Sequence, residues 1–116
     1  MTDLSNSVFD YKTLRGKWIL IDFWGTWCQP CVEELPRFQS FYADLQKKSS
    51  GNIVVFTAAS HDTEARVREF MKKHAYTFPV VMADEAFIKQ FRVGEYPTKV
   101  LITPQGNRMK IPPGTN

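Results

Sequence analysis

Apolar residues along the chain fall into short, dense runs separated by polar breaks, and the spacing within each run predicts an element. Trp18-Ile19-Leu20-Ile21-Asp22-Phe23-Trp24 is nearly continuous and rich in β-branched and aromatic side chains, which predicts a strand covered on both faces. Gly25-Thr26-Trp27 turns the chain into a predicted helix over about 30–48. On it Val32, Leu35, Phe38, Tyr42 and Leu45 recur at helical spacing and form the stripe expected to be buried. Pro36 falls inside that helix and is expected to kink it. Ser49-Ser50-Gly51-Asn52 breaks the helix, and Ile53-Val54-Val55-Phe56 predicts a second buried strand. Asp62 or Thr63 is expected to cap a helix over 64–74. A third strand over 78–82, a short helix over 85–91, a fourth strand over 99–102 and a last strand near 108–111 follow. Strands alternating with helices predict an α/β fold, a sheet with helices on both faces.

Composition narrows this picture. A chain of 116 residues makes one domain, and 43% apolar with 23% charged residues is an ordinary globular balance. The net charge of +3 comes from basic residues spread along the chain. No basic patch or basic–aromatic stripe forms, which excludes a nucleic-acid surface. The longest apolar run is interrupted by Asp22 and too short to span a bilayer, so no membrane contact is expected of this domain. The polar first residues hold no signal-peptide core. The chain carries two cysteines, too few for a disulfide framework in a domain of this size.

Those cysteines carry the chemistry. Cys28-Gln29-Pro30-Cys31 stands where the apolar strand gives way to the helix. The nucleophile in thiol chemistry is the thiolate, and unpaired N–H groups at a helix N-terminus stabilise negative charge. A two-residue spacer brings the second sulfur within bonding reach, and Pro30 has no N–H to leave unsatisfied in the first turn. Cys28, the outer residue, is thus expected to attack a partner disulfide, and Cys31, one turn deeper, to resolve the mixed disulfide. A zinc site would need two further ligands, and the histidines, His61 and His74, do not supply a second pair. No metal and no cofactor are expected.

The segment from Ile21 through Cys31 resembles the active-site segment of thioredoxins. Continued to Glu34, Leu35 and Pro36, it is most similar to the TlpA/ResA branch, extracytoplasmic thiol–disulfide oxidoreductases of bacteria. Gly16-Lys17, Pro36, the Tyr96-Pro97-Thr98 loop and Ile102 to Gly106 also fit, so the resemblance runs from about residue 8 to 114. It implies a thioredoxin fold: a central mixed β-sheet flanked by helices, with an inserted helix–strand unit at about 64–82. It also implies disulfide-bearing protein substrates, an upstream thiol reductant and an extracytoplasmic location. The chain departs from the pattern at Asp22, where the branch often has Asn, at the bulky Tyr96, and in having no C-terminal helix. It is therefore expected to be a single domain, 1–116, trimmed from a longer protein and acting as a monomer.

The remaining site residues follow. Asp22, an acid in an apolar strand, is expected to be buried, to hold its proton and to accept the Cys31 proton during exchange. Glu34 resembles the active-site glutamate of the ResA type, yet the helix stripe puts it toward solvent as a weaker electrostatic influence. Trp27 offers a partner an apolar platform. Pro97, cis by resemblance, would face the cysteines and leave the Tyr96 backbone free to pair with an extended peptide. Two other functions stay open. A peroxide-reducing relative would want Thr or Ser three residues before its cysteine, where Gly25 stands here. A non-catalytic interaction or redox-sensing module would not need both cysteines, Pro30 and Asp22.

Overall fold

The apolar run Trp18–Trp24 forms β1, and everything else is arranged around it. After it come α1 (Gln29–Lys48), β2 (Ile53–Ser60), α2 (Glu64–His74), β3 (Val80–Ala83), α3 (Glu85–Gln90), β4 (Thr98–Ile102) and β5 (Arg108–Ile111). This computed structural model describes residues 3–4, 14–48 and 51–113. Most of the polar lead-in before residue 14, the break at 49–50 and Gly114 lie outside the described residues.

The strands form one mixed sheet in the order β3-β2-β1-β4-β5, with β1 at its centre. β1 runs parallel to β2 and antiparallel to β4, so Asp22 lies between Thr57 on one side and Lys99 on the other. Alternation then sorts the side chains of β1. Ile19, Ile21 and Phe23 pack with Phe56, Val100 and the α3 residues Phe87 and Ile88. Trp24 faces the other way with Val55 and Ala59, under Cys31, Leu35 and Phe38 of α1 and Val67 and Met71 of α2. Each large side chain removed from water contributes about 1.5–3 kcal/mol, which is why so short a chain holds two cores, one on each face of the sheet.

Three expectations need correction. β2 continues past Phe56 to Ser60, because pairing with β1 and β3 on both flanks overrides the weak strand preference of Ala58 and Ala59. β3 starts at Val80, not Phe78. The amides of Thr77 and Phe78 donate to Gln39 Oε1 at 2.9 and 3.3 Å, and Pro79 has no N–H for a ladder. On α1, Val32, Tyr42 and Leu45 are only half-buried, and the fully covered residues are Cys31, Leu35 and Phe38. Of the two expected cap candidates for α2, Thr63 takes the role, accepting from Arg66 N at 3.2 Å. Asp62 does something else.

Candidate active site

Cys28 follows the turn Gly25–Trp27, in which its N–H donates to Gly25 O at 3.1 Å. Its carbonyl accepts from Val32 N at 3.0 Å, so the cysteine itself opens the helix. Cys28 and Cys31 are joined by a disulfide with their Cα atoms 5.3 Å apart. The Cys31 N–H points at Cys28 Sγ, 3.3 Å away. One free helical N–H is therefore already aimed at the sulfur that would carry negative charge after reduction. Cys28 is 5% exposed and Cys31 1%, the order of depth expected from their places on the helix.

Asp22 is buried on the face of β1 that α1 covers, two residues before Trp24 on the same face. Burial pushes its carboxyl up to about 7, against the pull of Lys99 and with a smaller push from Glu34. Its Oδ1 has no hydrogen-bond partner. Glu34 does not lie free in solvent as the helix stripe suggested. It is half-buried, and its Oε1 takes an ion pair from Lys99 Nζ at 2.6 Å. The sheet register explains this, since Lys99 sits directly across from Asp22 and its long side chain reaches up to the helix. Lys99 thus links the two acids. Sequence reading passed over it because the pairing of β1 with β4 was not known.

The rim is aromatic. Trp27 is 51% exposed, and its ring meets that of Tyr96 edge-on with centroids 5.2 Å apart. Pro97 is buried and the Tyr96–Pro97 peptide is cis. Burial raises the Tyr96 phenol, Glu85 adds to the rise and the nearby Ser60 opposes it. The phenol oxygen makes no hydrogen bond, and the Ser60 hydroxyl donates to Ala58 O. Trp24 is fully buried against Phe70 and Phe78, as core packing requires.

The turn carrying Cys28 is tied to the end of β2 by residues that sequence reading missed. The Trp27 indole N–H donates to Ser60 O at 2.9 Å. Thr26 N and Thr26 Oγ1 donate to Asp62 Oδ2 at 2.7 and 2.8 Å. Asp62 Oδ1 takes Thr63 N at 2.8 Å and Arg66 Nε at 3.3 Å. Burial alone would raise this carboxyl, but the donors from Thr26, Thr63 and Arg66 outweigh it and hold Asp62 below the usual carboxylate range. A Cβ at Gly25 would run into the Trp27 indole, so a larger residue there would force the ring to move. His61 adopts the left-handed region at φ 53 and pairs with Glu85 at 3.2 Å.

Among the described residues no group of His, Cys, Asp and Glu is placed to hold a metal, and no helix is long and apolar enough to cross a membrane. A cleft of about 810 Å³ lies away from the cysteines beside Leu14, Lys17, Ile102 and Pro104. Among the described residues lining it there is no cysteine, histidine or carboxylate.

Comparison with known proteins agrees with the geometry. The chain is 33% identical to "Thiol-disulfide oxidoreductase ResA" of Bacillus cereus (strain ZK / E33L), over 91% of this chain and 60% of that protein. It is also 33% identical to the protein of the same name from Bacillus subtilis (strain 168), over 99% of this chain and 63% of that one. The chain thus spans about three fifths of the length of these relatives. A thiol:disulfide interchange protein of the thioredoxin family from Chlorobium tepidum TLS superposes with a TM-score of 0.83 at 24% identity, covering 100% of this chain and 82% of that one. StoA from Bacillus subtilis gives 0.74 at 28% identity, over 84% of this chain and 74% of its own. The fold is thioredoxin-like. Residues 1–108 match the AhpC/TSA family, and the chain belongs to that family within the thioredoxin superfamily.

Proposed function

We propose that this chain is a thiol–disulfide oxidoreductase that reduces disulfides in partner proteins. The observation that carries the proposal is the Cys28–Cys31 disulfide at the N-terminus of α1, with a free N–H aimed at Cys28 Sγ. In the reduced protein the Cys28 thiolate attacks one sulfur of a partner disulfide. A mixed disulfide forms and the other partner sulfur leaves as a thiolate. Cys31 then gives its proton to Asp22 and attacks Cys28 Sγ, breaking the mixed disulfide, and the second partner sulfur leaves as a thiolate that can take that proton back from Asp22. Two electrons have passed to the partner, and the pair is left oxidised, as in this structure. A thiol reductant returns it to the dithiol.

Asp22 suits the proton step because its carboxyl titrates at about 7, in the range where it can both accept and return a proton. Lys99 and Glu34 adjust that value rather than perform the transfer. The exposed Trp27 ring and the Tyr96–Pro97 loop receive an extended stretch of the substrate. On its resemblance to the extracytoplasmic branch, we place this chemistry outside the cytoplasm, with the domain acting as a monomer.

The test is insulin reduction with dithiothreitol as the reductant, run beside a peroxide-consumption assay. Precipitation of insulin chains that is lost in Cys28→Ser supports the reading. Peroxide consumption without disulfide reduction would overturn it in favour of a peroxide-reducing relative, and inactivity in both assays would favour a non-catalytic module. Cys31→Ser should accumulate partners as mixed disulfides on Cys28.

A further inference from the structure

Resting on the reading of Cys28 as the attacking thiol, we infer that Asp62 is a positioning residue that holds the nucleophile's loop against the end of β2. The turn between β1 and α1 has few bonds of its own, the Cys28 N–H to Gly25 O being one. Its other polar groups lead across to a segment more than thirty residues away. Asp62 Oδ2 takes both donors of Thr26, and Ser60 O takes the indole of Trp27. The left-handed backbone at His61, unfavourable for a residue with a Cβ, lies between these two acceptors and turns the chain there.

The Asp62 side chain has no exposed surface, and its other oxygen is held by Thr63 N and Arg66 Nε. It is thus fixed from the α2 side and presents a rigid acceptor to the active-site turn. Where Thr26 goes, Cys28 follows two residues later, and with it the Sγ that stands 3.3 Å from Cys31 N. The carboxylate works here by hydrogen bonding. As a bare negative charge near the sulfur it would oppose a thiolate.

That opposition makes the test decisive. The rate of Cys28 alkylation by iodoacetamide is measured against pH in the fully reduced protein. Asp62→Ala should raise the midpoint by about one pH unit, because the sulfur drifts from the helix N-terminus. Asp62→Asn keeps an acceptor for Thr26 and should move it far less. Thr26→Val, which removes only the hydroxyl donor, should raise it by an intermediate amount and serves if Asp62→Ala fails to fold. Thr63→Ala weakens the cap of α2 without touching the turn and should leave the midpoint in place. The other charges around the pair, Asp22, Lys99 and Glu34 below and His61 and Glu85 across Tyr96, are the same in every variant. A midpoint lowered equally in Asp62→Ala and Asp62→Asn would show a through-space charge effect and overturn the inference. So would an unmoved midpoint in both Asp62→Ala and Thr26→Val. Insulin reduction by the unaltered protein is run alongside. Its absence would sink the proposed reaction, while the alkylation profiles still judge Asp62.

Discussion

Two aspartates of the proposed site stand under opposite conditions. Asp22 lies deep in the floor on β1, with one oxygen unbonded, and its carboxyl is pushed up to about 7. Asp62 lies on the rim, covered by its own hydrogen-bond donors, and is held below the usual range. Both side chains are out of reach of water. What separates them is the supply of donors: Thr26, Thr63 and Arg66 converge on Asp62, whereas Asp22 has the field of Lys99 but no hydrogen bond at Oδ1. An acid stripped of water without replacement donors can trade protons near neutrality, and one that receives replacements becomes a fixed structural anion. On the proposed reading, the floor moves the proton and the rim holds the nucleophile's turn in position.

The sharpest way to test that division begins with the thiols that both acids serve. Cys28→Ser should take insulin reduction to background, and Cys31→Ser should stop turnover while trapping covalent complexes, read by non-reducing electrophoresis. Equal trapping by Cys28→Ser would reverse the order of attack and dissolve the comparison.

Asp22→Asn is expected to have the next largest effect. A carboxyl raised from 3.8 to about 7 by folding favours the native state fully below pH 3.8, and that contribution is lost as pH rises toward 7. Above that, the wild type carries a buried charge that the asparagine does not. The variant should be more stable at pH 8 by up to about 4 kcal/mol, from three pKa units at roughly 1.4 kcal/mol each. The two proteins should converge below pH 4. Urea unfolding curves at pH 4 and pH 8 check this. The same variant should lose the inflection near pH 7 in the rate of mixed-disulfide resolution. A uniform stability gain at both pH values would show that Asp22 is not the titrating group.

On the rim, Gly25→Ala puts a methyl group where the Trp27 indole lies. The ring must move, the bond to Ser60 O at 2.9 Å is lost, and the fold should lose about 1–3 kcal/mol. Asp22 should titrate as before. A change in Trp fluorescence without a change in the Asp22 carboxyl shift would keep floor and rim separate, and a shift in both would join them.

The smallest effects belong to the pair that trims the floor. Lys99→Met removes the charge that lowers Asp22, so the Asp22 titration should move upward. Glu34→Gln removes a charge that raises it, so the titration should move slightly downward. Carbon-13 NMR of the Asp22 carboxyl would follow both, and shifts in the same direction would show that the two groups do not act through opposite charges.

The elements of this fold were largely readable from local pattern. β1, α2 and β5 match the apolar runs to the residue, because a strand or helix face is written in side-chain spacing along a short stretch. The misjudged boundaries were settled by distant groups, as when Gln39 of α1 took the amides of Thr77 and Phe78 and delayed β3. The cysteine pair was legible too, since a strand–turn–helix junction with a two-residue spacer is a local arrangement, and the acid in an apolar strand announced its burial.

What only the tertiary structure decided was the company these groups keep. Glu34 meets Lys99 across 65 positions of sequence, and Thr26 meets Asp62 across 36. Sheet register, which a one-residue slip would reverse, places Lys99 rather than Thr98 or Val100 on the face of Asp22. The sequence by itself determined that two thiols and a buried acid stand at a helix start. Which donors reach each carboxylate, and so whether it holds a proton or holds a loop, depended on packing between segments whose relative placement no local pattern records.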